Sequence, residues 1–153
     1  IAVGNEEDAE QVFGIKAPDV DVSAGRVDAE KFSAVAQGLK QTFPNLKRIA
    51  ITLRGSLSAS HNTWSGILYD GARMYRGPVF NITHIVDRVG SGDAFAAGLI
   101  YGLRTYRDDL QRALDFAVAA SCLKHSIVGD FNRVTVEETE KIMSGEISGR
   151  VSR

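Results

Sequence analysis

With 153 residues, 44% of them hydrophobic and 24% charged, the chain has the composition of one globular domain with a real core. Lys and Arg number 18 and Asp and Glu 19, a net charge of −1, so there is no basic excess to suggest nucleic acid. No apolar run approaches the ~20 residues of a membrane span. The single cysteine, Cys122, excludes an internal disulfide and suits a reducing, cytoplasmic setting.

"IAVGNEEDAE" has no Met, no basic start and no long apolar stretch, so it is not a signal peptide. It reads like a chain entered within a strand, and the expectation is a part of a longer protein. Ile1 to Val3 suggest the end of a buried strand, Gly4-Asn5 a turn, and Glu6 to Phe13 a short helix. A loop follows to Asp28, which is placed to cap a helix with Phe32, Val35, Leu39 and Phe43 at helical spacing, stopped by Pro44-Asn45. Residues 47–54 suggest a mostly buried strand and "GSLSAS" a loop. "TWSGILYD" and "RMYRGPVF", joined at Asp70-Gly71-Ala72, suggest a hairpin, and "HIVD" a short strand. Next come helices over 93–103, from 109, and over 136–144. Gly98 and Gly102, four apart, predict close approach by a neighbouring element. Strands alternating with helices predict an α/β fold with a mostly parallel sheet flanked by helices.

"DRVGSGDAF", residues 87–95, carries the chemistry. A strand, Gly90-Ser91-Gly92, then a helix gathers free N–H groups and the positive end of a helix dipole at one spot, which attracts an anion. It is not a P-loop, since G-x-x-x-x-G-K-[ST] is absent. It is not a dinucleotide fingerprint, since Phe95 stands where the third glycine belongs. It is not a protein-kinase loop, since H-R-D and D-F-G are absent. Asp93 at the mouth of this turn has two readings. One is a cap or first-turn acid worth up to ~1–2 kcal/mol. The other is a general base that takes a proton from a hydroxyl attacking a phosphoryl group, beside amides that hold the developing charge.

"DRVGSGDAFAAGLIYGL" resembles the C-terminal signature of the PfkB, or ribokinase-like, carbohydrate kinases, whose usual form is D-T-x-G-A-G-D-x-F. "GNEEDAE" resembles their N-x-x-E segment, "ITLRGS" their nucleotide-loop strand, and "AASCLKHSIVGDFNRVTVEE" their adenine-side helix and loop. The wording of that last segment is most similar to members acting on 2-keto-3-deoxygluconate. The resemblance spans the whole chain but only the C-terminal, nucleotide-binding half of a typical member, without the N-terminal substrate and lid part. It implies a ribokinase-like fold and ATP- and Mg²⁺-dependent phosphorylation of a sugar or sugar-acid hydroxyl in the cytoplasm. It implies Asp93 as catalytic base, with Gly90, Ser91 and Gly92 as anion hole. Asn5, Thr52, Arg54, Gly55, Gly92, Cys122 and His125 would contact the nucleotide; from the residues alone Cys122 reads as small apolar packing and His125 as a helix-end histidine meeting the negative dipole. Asp87, the backbone near Val89 and the Lys124 to Gly129 region would hold a monovalent cation such as K⁺.

Two departures from the family pattern stand out. Arg88 replaces the usual Thr, and is either a bidentate partner for phosphate or a substrate carboxylate, or a surface arginine. Asp8 stands where the family has Glu; it can hold magnesium-bound water or simply complete a helix start capped by Asn5. Arg54 is likewise either a phosphate contact or a loop arginine. Trp64, Tyr69 and Tyr75 read as hairpin packing, and His61, His84 and His125 lack metal-ligand spacing. The reading is therefore a carbohydrate kinase, inactive as this portion alone and a homodimer when complete. Its rivals are a non-catalytic nucleotide-binding or interaction module, a kinase for fructose or ribose, and a structural anion-binding domain.

Overall fold

The computed structural model describes residues 1–16, 29–58 and 60–145; the expected Asp28 cap lies outside them. The elements are β1 (Ala2–Asn5), α1 (Glu6–Phe13), α2 (Ala29–Thr42), β2 (Ile49–Ser58), β3 (His61–Tyr69), β4 (Met74–Arg76), β5 (Phe80–Ile82), α3 (Ser91–Thr105), α4 (Leu110–Lys124) and α5 (Val136–Met143).

The expectation of a mostly parallel sheet is corrected. Only β1 and β2 pair parallel; β2–β3, β3–β4 and β3–β5 are all antiparallel. Helices provide one long crossover, between β1 and β2. The β2–β3 and β3–β4 connections are too short for anything but antiparallel return, and β5 continues the direction of β4 along the same edge of β3. Asp70 makes the β3–β4 turn by accepting the N–H groups of Ala72 and Arg73. Residues 55–58 of "GSLSAS", expected as loop, are strand: β2 runs on to Ser58, with a bulge near its end, because β3 zips alongside it. "HIVD" is not a strand; Val86 and Asp87 donate their N–H groups to the His125 carbonyl rather than to a ladder.

Period-two alternation in β2 divides the core. Ile49, Ile51 and Leu53 pack with Phe32, Val35 and Leu39 of α2. Ala50 faces the other way, where Trp64 and Leu68 of β3 pack with Phe95 and Leu99 of α3 and Leu114 and Val118 of α4. The predicted close approach is present. A Cβ on Gly98 would lie 3.0 Å from the Ala117 Cα, and one on Gly102 would lie 2.7 Å from the Ala113 Cα. Those two glycines let α3 and α4 lie backbone to backbone.

Candidate active site

Continuing outward from Ala50 on the same face of β2 are Thr52 and Arg54. They leave the core at the carboxyl end of the parallel pair, where open α/β sheets receive ligands. With Asn5, Glu7, Trp64, Ser91 and Gly92 they line a cleft of about 130 Å³. That is below the roughly 300–1,000 Å³ of a complete small-molecule pocket. It has room for phosphate groups, not for a whole nucleotide.

Asn5 sits here because it caps α1. Its side-chain oxygen accepts the N–H groups of Glu7 and Asp8 at 2.8 and 2.9 Å, and the Asp8 carboxylate accepts the Asn5 N–H at 2.8 Å. This closed box engages Asp8 and leaves Glu7 as the carboxylate in the cleft wall. Thr52 is nearly buried, with its hydroxyl 3.4 Å from the Gly4 carbonyl. Trp64, read from sequence as packing only, donates Nε1–H to Ser121 Oγ at 2.7 Å and so presents its ring to the cleft in one orientation.

The glycine turn leads into a helix as expected, but no strand precedes it and the helix begins two residues earlier. Gly90 is the N-cap, in the left-handed region at φ 78°, and α3 begins at Ser91. Asp93 is therefore not the cap but the third residue of the first turn. Ser91 N–H turns back to the Arg88 carbonyl and Ala94 N–H to Gly90. The Gly92 and Asp93 N–H groups are the first-turn donors that remain. The Asp93 carboxylate is exposed and makes no hydrogen bond or ion pair among the described residues.

Behind the turn lies a second layer. Asp87 accepts the Val89 N–H at 3.0 Å and the Gly129 N–H at 2.8 Å. The Val89 bond first, then that from Gly129, hold its carboxyl below the usual carboxylate range. The structure thus brings together the residues expected to form a cation loop, with Asp87 acting as a clasp between two backbone segments. Among the described residues no group of three or more His, Cys, Asp or Glu could hold a metal ion.

The remaining expected residues stand apart from the cleft wall. Gly55 is buried in β2 opposite Thr63. Arg88 is half-buried just before the turn. Cys122 packs against the α3–α4 core, where burial pushes its thiol up to about 11. His125 is buried, its ring edge-on to Trp64 at 4.9 Å and its Nδ1 2.8 Å from the Ser121 carbonyl. Sequence reasoning missed Glu7 and Trp64 in the cleft. It also missed that Lys124 is wholly buried, although its spacing from Ala113, Ala117 and Ala120 sets it on the apolar stripe of α4.

A parallel strand pair whose carboxyl ends meet a glycine turn and a helix N-terminus defines an α/β protein with a ligand cleft at its strand ends. The chain belongs to the pfkB family of carbohydrate kinases, whose family model matches residues 1–132, and its α/β fold is ribokinase-like. The crystal structure of 2-dehydro-3-deoxygluconokinase from Thermotoga maritima superposes with a TM-score of 0.83 at 42% identity, over 94% of this chain and 41% of that one. A PfkB family carbohydrate kinase from Listeria grayi superposes with a TM-score of 0.76 at 27% identity, over 94% and 41%. A 2-dehydro-3-deoxygalactonokinase of Haloferax volcanii is 34% identical over 79 residues, 52% of this chain and 24% of the relative. The chain thus spans well under half the length of these relatives.

Proposed function

We propose that these residues are the nucleotide-binding, C-terminal part of a kinase for a six-carbon 2-keto-3-deoxy sugar acid. The favoured substrate is 2-keto-3-deoxygluconate (2-dehydro-3-deoxygluconate), giving the 6-phosphate. The observation that carries this reading is Asp93: an uncommitted carboxylate in the first turn of α3, one residue beyond the cleft-lining Gly92. The 42% identity to a 2-dehydro-3-deoxygluconokinase supports the choice of acceptor.

In this reading the terminal phosphates of ATP lie in the cleft, against Arg54, Thr52 and the Asn5 amide. The transferred phosphoryl group meets the Gly92 and Asp93 N–H groups. The acceptor hydroxyl oxygen bonds to the γ-phosphorus as the bond from phosphorus to the ADP oxygen breaks. Its proton passes to the Asp93 carboxylate. The amides hold charge that develops on the phosphoryl oxygens without having to reorient. Arg88, just before the turn, is the guanidinium that would pair with the carboxylate of the acceptor. The site fits Mg²⁺ bound chiefly by phosphates and water, with Glu7 as the cleft carboxylate to hold a coordinated water. When bound, the ion neutralises phosphate charge.

The test is ADP release from Mg-ATP by the complete protein that carries this sequence. The acceptors are 2-keto-3-deoxygluconate, its galactonate epimer, fructose and ribose, tried separately. Turnover is expected with the gluconate, and Asp93→Asn is expected to lower it by roughly 10²–10⁴-fold while ATP still binds. Undiminished turnover in Asp93→Asn overturns the base assignment. Faster turnover with the epimer moves the substrate to the one acted on by the Haloferax volcanii relative. ATP binding without turnover on any acceptor moves the non-catalytic module to first place.

A further inference from the structure

Lys124 ends α4 and is 0% exposed. An ammonium taken wholly out of water is costly unless acceptors surround it, so a buried lysine marks a place where positive charge is wanted. Its Nζ donates to the Ile127 carbonyl at 3.0 Å. The Lys124 charge also adds to the two backbone hydrogen bonds that hold the Asp87 carboxyl low. Lys124 touches one wall of the layer behind the glycine turn through Ile127 and acts on Asp87, on the other, through its charge alone. Ile127 opens the segment whose Gly129 N–H donates to Asp87 and whose Asp130 carbonyl closes on Gly90. Asp87 in turn holds Val89, the residue before Gly90. One buried ammonium therefore sits beneath the junction that fixes where α3 begins.

We propose that Lys124 is a positioning residue that acts as the built-in cation of the anion-binding turn. Its ammonium draws the 127–130 segment and the Asp87 carboxylate together, which seats Gly90 and aims the Gly92 and Asp93 N–H groups. It supplies the positive charge that a free monovalent ion would otherwise bring, so the site works without K⁺ or NH₄⁺. This rests on the kinase reading for its consequence in turnover, but not for its consequence in cation binding.

The experiment compares the complete protein in tetramethylammonium chloride and in KCl or NH₄Cl at equal ionic strength, reading turnover and melting temperature. The wild type is expected to give the same turnover and the same melting temperature in all three salts. Lys124→Met is expected to lose about 100-fold in turnover in tetramethylammonium chloride, the scale of loss when reacting groups are misplaced by about an ångström. KCl or NH₄Cl should restore part of that turnover and raise the variant's melting temperature. A merely structural lysine predicts a variant indifferent to the choice of salt, and that result overturns the proposal. So does a wild type that needs K⁺ or is stabilised by it, and this arm stands even where Lys124→Met does not fold. Absence of turnover in every salt counts against the kinase reading, while the melting temperatures still decide the cation.

Discussion

Gly90 and Asp130 touch backbone to backbone: a Cβ on Gly90 would lie 2.8 Å from the Asp130 carbonyl carbon and 2.9 Å from its Cα. Gly90 also has φ 78°, a conformation that costs a residue with a side chain roughly 1–2 kcal/mol. Gly92, two residues on, has nothing within 4 Å of a built Cβ. The two glycines of one motif thus have different jobs. Gly90→Ala must open the contact with Asp130 and bear the strained φ. It should cost about 2–4 kcal/mol, or several degrees in melting temperature, and take turnover down with it. Gly92→Ala should leave the melting temperature where it was and weaken ATP binding, because its methyl enters the cleft. Thermal melts and ATP titrations of both variants decide this; equal loss of stability in the two would contradict the assignment.

His125 makes a prediction about pH. Its Nδ1 faces the Ser121 carbonyl, an acceptor, so Nδ1 carries the hydrogen. Burial is the main cause that lowers its pKa below 6.5, against the opposing hydrogen bonds to the backbone carbonyls of Ser121 and Cys122. A histidine with a depressed folded-state pKa binds fewer protons in the native state than in the unfolded one. Its contribution to stability is therefore intact above about pH 6.5 and is lost as the pH falls below that value. The melting temperature should drop between pH 7 and pH 5, and the drop should shrink in His125→Gln. Trp64 is the chain's one tryptophan and lies 4.9 Å from the ring, so its fluorescence reports the titration locally. A fluorescence midpoint at or above pH 6.5 would rule out the buried, neutral ring.

How far the fold and site were legible in the sequence follows from how local each cause is. The glycine turn, the Asn5 cap and the Gly98–Gly102 contact rest on residues a few positions apart, and each is present in the structure. The mostly parallel sheet was a wrong expectation, because alternation of element types says nothing about which strands zip. Here β3 is the hub, pairing β2, β4 and β5 antiparallel. Trp64 was read as packing because the serine that orients it lies 57 residues away. Lys124 was within reach: a lysine on an apolar helical stripe is a signal in its own right. Glu7 could not be separated from Asp8 by spacing alone, since which acid turns inward depends on the cap that forms.

That choice between two adjacent acids is itself testable. The family pattern points to Asp8 as the acid for magnesium, but its carboxylate is taken by the Asn5 N–H at 2.8 Å, and Oδ2 lies only 3.1 Å from where a Cβ on Gly4 would be. A box this closed suits the short side chain of aspartate and gives α1 its start. Glu7, one position earlier and one methylene longer, is the acid that lines the cleft. Asp8→Ala should therefore cost about 0.5–2 kcal/mol of stability, the usual value of a lost cap interaction, while the Mg²⁺ concentration for half-maximal turnover stays where it was. Glu7→Gln should leave the melting temperature nearly unchanged, since an acid in an exposed first turn is worth only about 0.3–1 kcal/mol. It should raise the Mg²⁺ requirement severalfold, because the cleft loses the carboxylate that would hold coordinated water. Magnesium titrations of turnover beside thermal melts separate the two effects. The opposite pairing, with Asp8→Ala demanding more Mg²⁺ and Glu7→Gln only less stable, would return the metal role to Asp8 and mean that the box opens when nucleotide binds.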